Sequence, residues 1–365
     1  MSNELRYQIG ITRLPKVGSI IAKNLISYCG TAQAVFRESR KALLKIPGVG
    51  PTIARHILNQ QVLGEAEQEI QLLDKHNIQA LYYLDESYPY RLKQLYDAPI
   101  LLYYKGTADL NQQRLVSVVG TRRPSRMGVQ LCQELVEGLR NHQVGIVSGL
   151  AYGIDIAAHR KAIELQMDTI GVLGHGLQYL YPEQHLRTAQ QMIQRGGLLS
   201  EHPFHTGIDA RHFPMRNRII AGLCDALVVV ETKTKGGSMI SAEMAHAYHR
   251  DIFAYPSNAK YTNARGGNYL IKTHRAALIE NAEDLVNTLR WEEVDSNKSS
   301  QSSLFTELSE AEKAIYALFT NHSSIGIDEL AMSSGKTSSE MASLLLQLEF
   351  KGVIQSLPGK QYARC

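Results

Sequence analysis

Between Leu115 and Leu289, short apolar runs alternate without a break with amphipathic segments of helix length. This pattern restricts the fold more than any other feature of the chain. The runs LVSVVG, VGIVSG, TIGVLG, GGLLSE, ALVVVE, DIFAYP and AALIE lack the every-second-residue polarity of a half-exposed strand, so they fit strands buried on both faces. Segments such as MGVQLCQELVEGLR and GIDIAAHRKAIELQ lie between them with helical periodicity. Strand–helix alternation over this length predicts an α/β domain built on a Rossmann-like, doubly wound, mostly parallel sheet. Such sheets bind ligands beyond the carboxyl ends of their strands, so the residues that follow each strand are the candidates for function.

The flanks are of a different kind. Leu14-Pro15-Lys16-Val17-Gly18 returns as Ile46-Pro47-Gly48-Val49-Gly50, each copy followed by a helix-compatible segment. An apolar–Pro–x–Val–Gly turn before a helix leaves backbone N–H groups open to an anion, as in tandem helix-hairpin-helix domains of the SAM-like type. The same hairpins also serve as small helical packing or partner domains. Residues 1–64 are assigned to this helical domain and 65–110 to a connector leading into the sheet. The connector's run YYLDESYPYRLKQLYDAPILLYYKG reads as short strands and turns, and its tyrosines suit packing better than base stacking at this density of Leu and Ile. The α/β domain takes 111–290, and a polar linker, 291–306, includes EEVDSNKSSQSS. In 307–365, three helices and a hairpin through Pro358-Gly359 predict a winged helix. Its near-balanced charge suits protein contact at least as well as DNA.

The strand ends carry the unusual residues. The first gives Gly120-Thr121-Arg122-Arg123-Pro124-Ser125-Arg126, three arginines and two hydroxyls before a helix, a combination suited to phosphate. The second gives Ser148-Gly149 and then Asp155 and His159, four apart on one helical face. Ser148, His159 and Asp155 could be read as a nucleophilic set, but no nucleophile-elbow sequence surrounds Ser148, and fixation of the loop is the simpler role. Later ends supply Tyr181-Pro182-Glu183, Glu201, the segment Arg216-Asn217-Arg218, and Glu231 followed by Lys233, Lys235, Gly237 and Ser238. Arg122, Arg123, Arg126, Arg216, Arg218, Lys233 and Lys235 would form one basic rim, suited to a polyanion. The glycines make no GxGxxG, so no dinucleotide cofactor is expected. His202, His205 and His212 lack ligand spacing, so no metal is expected either.

Composition narrows the classes further. The 365 residues hold 39 basic against 35 acidic side chains, a formal charge of +4, too small to name a partner. Four cysteines without CxxC spacing indicate neither a zinc site nor a disulfide framework, and a reducing cytoplasm fits. No run approaches the roughly 18 apolar residues of a membrane span.

The segments VSVVGTRRPSRMG, SGLAYGIDIAAH, TIGVLGHGLQYLYP, LLSEHP, FPMRNRIIAGLCDALVVVE and GGSMISAEMA occur in the order found in the DprA/Smf DNA-processing family, which this chain resembles along its length. The resemblance implies a non-catalytic, homodimeric protein that binds and protects single-stranded DNA and loads the RecA recombinase during natural transformation. It puts DNA contact at Arg122, Arg216 and Arg218; the reading of the strand ends adds Arg123, Arg126, Lys233 and Lys235, with Gly120, Ser148, Gly149, Gly237 and Ser238 beside them. Asp155, His159, Glu201, Asn217 and Glu231 would organise the loops, and Arg216 and Arg218 would serve equally well as partners of Glu201 or Glu231. Some family members carry a basic residue where Glu183 stands, with Arg187 and Lys161 as possible substitutes here. A rival reading comes from nucleotide phosphoribohydrolases, whose glycine-rich loop matches Lys235–Glu243 except that Met239 and Ile240 replace Gly-Thr. A third is a scaffold that touches DNA only through its end domains.

Overall fold

The computed structural model describes residues 3–261, 264–291, 309–319, 325–351, 353–357 and 361–364. It divides into two compact units, Met1–Val294 and Asp295–Cys365. The expected linker and the Pro358-Gly359 turn lie outside the described residues.

The first unit begins with six helices: α1 (Asn3–Thr12), α2 (Ser19–Cys29), α3 (Ala32–Arg37), α4 (Arg40–Leu43), α5 (Pro51–Asn59) and α6 (Gln61–Lys75). The two repeat turns have the same backbone. Lys16 and Gly48 take matching left-handed conformations, φ 66° and 84°. Gly18 and Gly50 are extended N-caps with φ −89° and −90°. Leu25, Ile26, Ile53 and Ile57 from the following helices meet Ile9, Phe36 and Leu73 in one core. That core also takes in Ile78, Tyr82, Ile100, Leu101 and Tyr103. The helical part therefore does not end at 64: α6 crosses that point and shares its core with the connector.

The connector forms β1 (Gln79–Tyr82), α7 (Tyr90–Lys93) and β2 (Leu101–Gly106). Rather than merely leading into the sheet, β1 and β2 extend it, β2 pairing antiparallel with β6 (Gly197–Ser200). The α/β part then runs β3 (Arg114–Val119), α8 (Arg126–Gly138), β4 (Val144–Ser148), α9 (Ile154–Glu164), β5 (Thr169–Leu173), α10 (Leu186–Arg195), β6, α11 (His212–Gly222) and β7 (Ala226–Val229). It ends with α12 (Gly237–Ala247), β8 (Asp251–Ala254), α13 (Arg265–Lys272), β9 (Ala277–Leu278) and α14 (Ala282–Leu289). All seven apolar runs became strands. The order is β1-β2-β6-β5-β4-β3-β7-β8-β9, parallel from β6 to β9.

Alternate residues of each strand feed two cores. Leu115, Val119, Leu227 and Val229 face α11 and α12, while Val116, Val118, Ala226 and Val228 face α8 and α9. Strand order reverses between β3 and β7, and the carboxyl edge there is where a doubly wound sheet opens to a ligand.

One ion pair, buried at its arginine end, fastens the connector to this sheet. Arg91 on α7, 1% exposed, donates to both carboxylate oxygens of Asp225 at 2.7 and 2.8 Å and to the Gln113 carbonyl. Asp225 also accepts the amide of Leu115, the second residue of β3.

The second unit has α15 (Glu310–Leu318), β10 (Ile325–Gly326), α16 (Ile327–Ser334), α17 (Ser338–Phe350), β11 (Ile354–Leu357) and β12 (Gln361–Arg364), with sheet order β10-β12-β11. This is the winged-helix arrangement expected from the sequence. Ser309 and Thr337 begin α15 and α17 with capping boxes to Glu312 and Glu340. Ile315, Phe319, Met341, Leu345 and Leu348 fill the core.

Candidate nucleic-acid interface

The loop between β3 and α8 is held from two sides. On one, Glu231 at the end of β7 accepts the Ser125 hydroxyl at 2.7 Å and the Ser125 amide at 3.2 Å. Ser125 in turn caps α8 by accepting the Gly128 amide at 3.0 Å, and Gly128 has no side chain because a Cβ would run into the Glu231 carboxylate. On the other side, the Ile154 amide donates to Thr121 O at 3.2 Å across Gly153. Gly153 sits at φ 85°, ψ −124°, with no room for a Cβ against Thr121 and Arg122 backbone. Between these clamps Arg122, Arg123 and Arg126 stand exposed.

Gly153→Ala should therefore cost about 2–3 kcal/mol through backbone strain and collision. Denaturation followed by the fluorescence of Trp291, the chain's only tryptophan, checks it.

Beside the loop lies a cleft of about 300 Å³, lined among others by Gly120, Arg122, Tyr181, Phe213, Asn217 and Ser241. Arg216 forms part of its wall but is 6% exposed. Its guanidinium bonds the Val172 carbonyl and lies by Asp155, in space left by the missing side chain of Gly149. Burial lowers the Arg216 pKa to about 10, against the attraction of Asp155, so the side chain keeps its proton at neutral pH. Burial pushes the Asp155 carboxyl up, and Arg216 opposes the rise.

Arg218, two residues on, projects from another side of α11. It pairs with Glu201 and donates to Asp97 O at 2.8 Å. The basic rim is thus smaller than the sequence suggests: Arg218 has an internal partner, and Arg216 presents a wall rather than a free head. Ser148 is fully buried, its hydroxyl donating to Val118 O at 2.6 Å, so its side chain cannot meet a ligand.

The exposed cations are Arg122, Arg123 and Arg126, with Lys233 and Lys235 on the loop after β7. Among the described residues none of the five has an ion-pair partner. Asn217 ties α11 to α12 by donating to Gly237 O at 3.2 Å, and Ser238 is buried with its hydroxyl on Thr232. The N-cap of α12, Gly236, offers no side chain to its first amides, and Gly237 and Ser238 line the cleft. An uncapped helix start there favours negative charge.

His159 is fully buried between Thr169 Oγ1 at 2.7 Å and Gly149 O at 2.6 Å. Burial lowers its pKa to about 4, so the ring is neutral at pH 7. Against a carbonyl, Nε2 must carry the proton, leaving Nδ1 to accept from Thr169. Both nitrogens are thus occupied, and Ser148 bonds elsewhere. The three side chains form no nucleophilic relay, and His159 holds the loop after β4.

Tyr152, Tyr181 and Phe213 were not singled out from the sequence as ligand contacts, yet all three border the site. Tyr152 and Tyr181 are 42% and 43% exposed, and the Tyr181 and Phe213 rings lie 5.8 Å apart. The available signal was an aromatic before proline at two strand-end loops. Lys161 is no substitute for a base at Glu183, since it pairs with Glu137 and Glu164 at 3.3 and 3.0 Å. Arg187 is exposed. His202 and His212 stack at 4.3 Å, and among the described residues no group of three or more His, Cys, Asp or Glu is placed to hold a metal. Nor is any described helix long and apolar enough to cross a membrane.

The comparisons agree with this architecture. The family model for DNA recombination-mediator protein A matches residues 79–290, and that for the DprA winged helix domain matches 301–360. The DNA processing protein DprA of Streptococcus pneumoniae is 41% identical over 203 residues, 56% of this chain and 71% of that protein. A putative DNA processing protein DprA of Mycobacterium tuberculosis is 30% identical over 328 residues, 86% of this chain and 84% of that one. The crystal structure of the pneumococcal protein superposes with a TM-score of 0.68 at 32% identity, covering 79% of this chain and 98% of that one. A structure concerned with single-stranded DNA binding by DNA processing protein A from Helicobacter pylori gives 0.54 at 30% identity, covering 60% and 97%. With its α/β part and its winged helix both matched, the chain belongs to the DprA/Smf family of DNA recombination mediators.

Proposed function

We propose that the carboxyl edge of the sheet binds single-stranded DNA without turning it over, and that the protein delivers the strand to a RecA-type recombinase as a homodimer in the cytoplasm. The carrying observation is the clamped loop that holds three unpaired, exposed arginines beside a cleft lined by the rings of Tyr181 and Phe213. Phosphates need cations in fixed places, and unstacked bases need rings; both are sequence-tolerant contacts. The relative from Helicobacter pylori, described by its single-strand binding mode, supports the choice of ligand. Family membership supports the recombinase and the dimer.

The hydrolase alternative is disfavoured by Met239, which is buried, and by Glu243, which is exposed and is not among the residues lining the cleft.

Fluorescence anisotropy with a labelled strand of about 50 nucleotides tests the reading across a salt series. The wild type should prefer the single strand to the matching duplex. Arg122→Ala should bind several-fold more weakly, with a log–log salt slope shallower by about 0.7. Equal binding by both proteins would remove Arg122 from the interface.

A further inference from the structure

The loop between β3 and α8 walls two clefts. Gly120 and Arg122, at its start, line the one that holds the rings of Tyr181 and Phe213. Ser125, Met127 and Gly128, at its end and in the first turn of α8, line another of about 540 Å³. In the sheet β7 lies between β3 and β8, so its end, Val230 and Glu231, lines this second cleft between the arginine loop and the segment that follows β8. That segment contributes Lys260 and Tyr261. Met127 is 60% exposed and Tyr261 42%, so two large apolar side chains from separate elements open onto one hollow. Among the described residues the Tyr261 ring meets no other ring, and the exposed Lys260 has no ion-pair partner. Apolar surface grouped in this way marks a contact site rather than a scatter of surface residues.

We infer that this second cleft takes a base of the bound single strand against Tyr261 and Met127, so that the strand crosses the arginine loop and seats bases on both sides of it. The inference rests on the reading of the sheet edge as a single-strand site. Continuity identifies the occupant. Four residues separate Arg122 from Arg126, at most about 14 Å of chain, so a backbone whose phosphates rest on Arg122 reaches Arg126 within a few nucleotides. At Arg126 the nearest hollow is no longer the one with Tyr181 but the one that begins at Met127. The lining matches a nucleotide in both its parts. A phenol ring and a thioether suit the faces of a base, and an ammonium beside them suits its phosphate. An apolar peptide would use the ring and the thioether but leave Lys260, Arg123 and Arg126 without partners. A duplex keeps its bases stacked on one another and has none to place there.

Tyr261→Ala and Tyr261→Phe test this in the full-length protein, by anisotropy with labelled strands of about 4 to about 16 nucleotides. Tyr261→Ala should bind the longest strand about tenfold more weakly than the wild type, the loss of one base–ring stack, and the shortest strand equally well. Its salt slope should stay at the wild-type value because no phosphate contact is removed, whereas Arg122→Ala has the shallower slope. Tyr261→Phe keeps the ring and should bind the longest strand as the wild type does. Urea midpoints followed by Trp291 should not move, since Tyr261 is half-exposed. Wild-type binding of the longest strand by Tyr261→Ala, an equal loss at every length, or a loss shared by Tyr261→Phe would each overturn the inference. Arg122→Ala separates the two readings. If it binds like the wild type while Tyr261→Ala weakens as expected, the place given to Arg122 fails and the second cleft stands. If Arg122→Ala alone weakens, the sheet-edge reading stands and the second cleft falls.

Discussion

Asp225→Ala should destabilise the first unit by about 3–5 kcal/mol, more than Arg91→Leu does, even though the second substitution removes the larger side chain. The asymmetry follows from burial. Arg91 is 1% exposed and Asp225 30%. Without Asp225, a guanidinium remains in the interior with the Gln113 carbonyl as its chief partner, and β3 loses the acceptor for the Leu115 amide. Without Arg91, the half-exposed carboxylate hydrates and keeps that amide. The double substitution should cost less than the sum of the singles, because the orphaned charge is gone. Trp291 makes the measurement specific to this unit. It packs in the core formed by α8, α9 and α14, near the Arg114 guanidinium at 5.5 Å, and the second unit has no tryptophan. Urea midpoints from its fluorescence for the four proteins give the ranking directly. Equal losses in the two single variants would mean that the pair is hydrated from both ends.

The second large effect is an acid one. His159 has a pKa of about 4 in the folded chain and about 6.5 when unfolded. As pH falls below the higher value the unfolded chain takes up its proton first, and the folded chain does so only near the lower one. The unfolded state therefore binds more protons throughout the interval, and stability rises with pH across it. It is full above about pH 6.5 and is lost progressively toward pH 4, with about 2 kcal/mol lost at pH 5 from this ring alone. Asp155 and Glu201, raised by burial, act in the opposite sense over part of the range. The informative quantity is thus the difference from His159→Gln, whose amide can still donate to Gly149 O and does not titrate. Between pH 7.5 and 5 the variant should lose about 2 kcal/mol less than the wild type. Parallel curves would show that His159 is not the proton acceptor.

Much of this architecture could be read from the residues because periodicity reports burial. Runs such as ALVVVE have only one solution when apolar on both faces, and the helices between them were equally plain. The connector was less legible. Its run reads as short strands and turns, and β1 and β2 lie there, but the partner of β2 is not legible locally, because β6 is a segment roughly a hundred residues further on. Side-chain direction in α11 was not legible either. Arg216 and Arg218 are two residues apart in one motif but diverge on a helix, one toward Asp155 and the other toward Glu201, and both carboxylates follow distant strands. Ser148 looked available because it ends a strand beside glycine; only the neighbouring Val118 carbonyl shows where its hydroxyl goes. The exposed arginines were found because three cations in one short turn have few internal partners to choose from.

The matched turns at Lys16 and Gly48 place one repeated motif in two environments. The first copy is held by the rest of the fold, where the Lys23 ammonium donates to the carbonyls of Leu95 and Tyr96 at 3.0 and 3.3 Å. A change at Ile21 or Lys23 alters how the helices seat on the sheet and registers first as lost folded protein. The second copy faces solvent. Arg40, Lys41 and Arg55 are exposed there and contribute little to folding, so charge can be gained or lost while the protein remains intact. The repeat thus holds an anchored turn and a free one, and substitutions in the first should cost more stability than substitutions in the second.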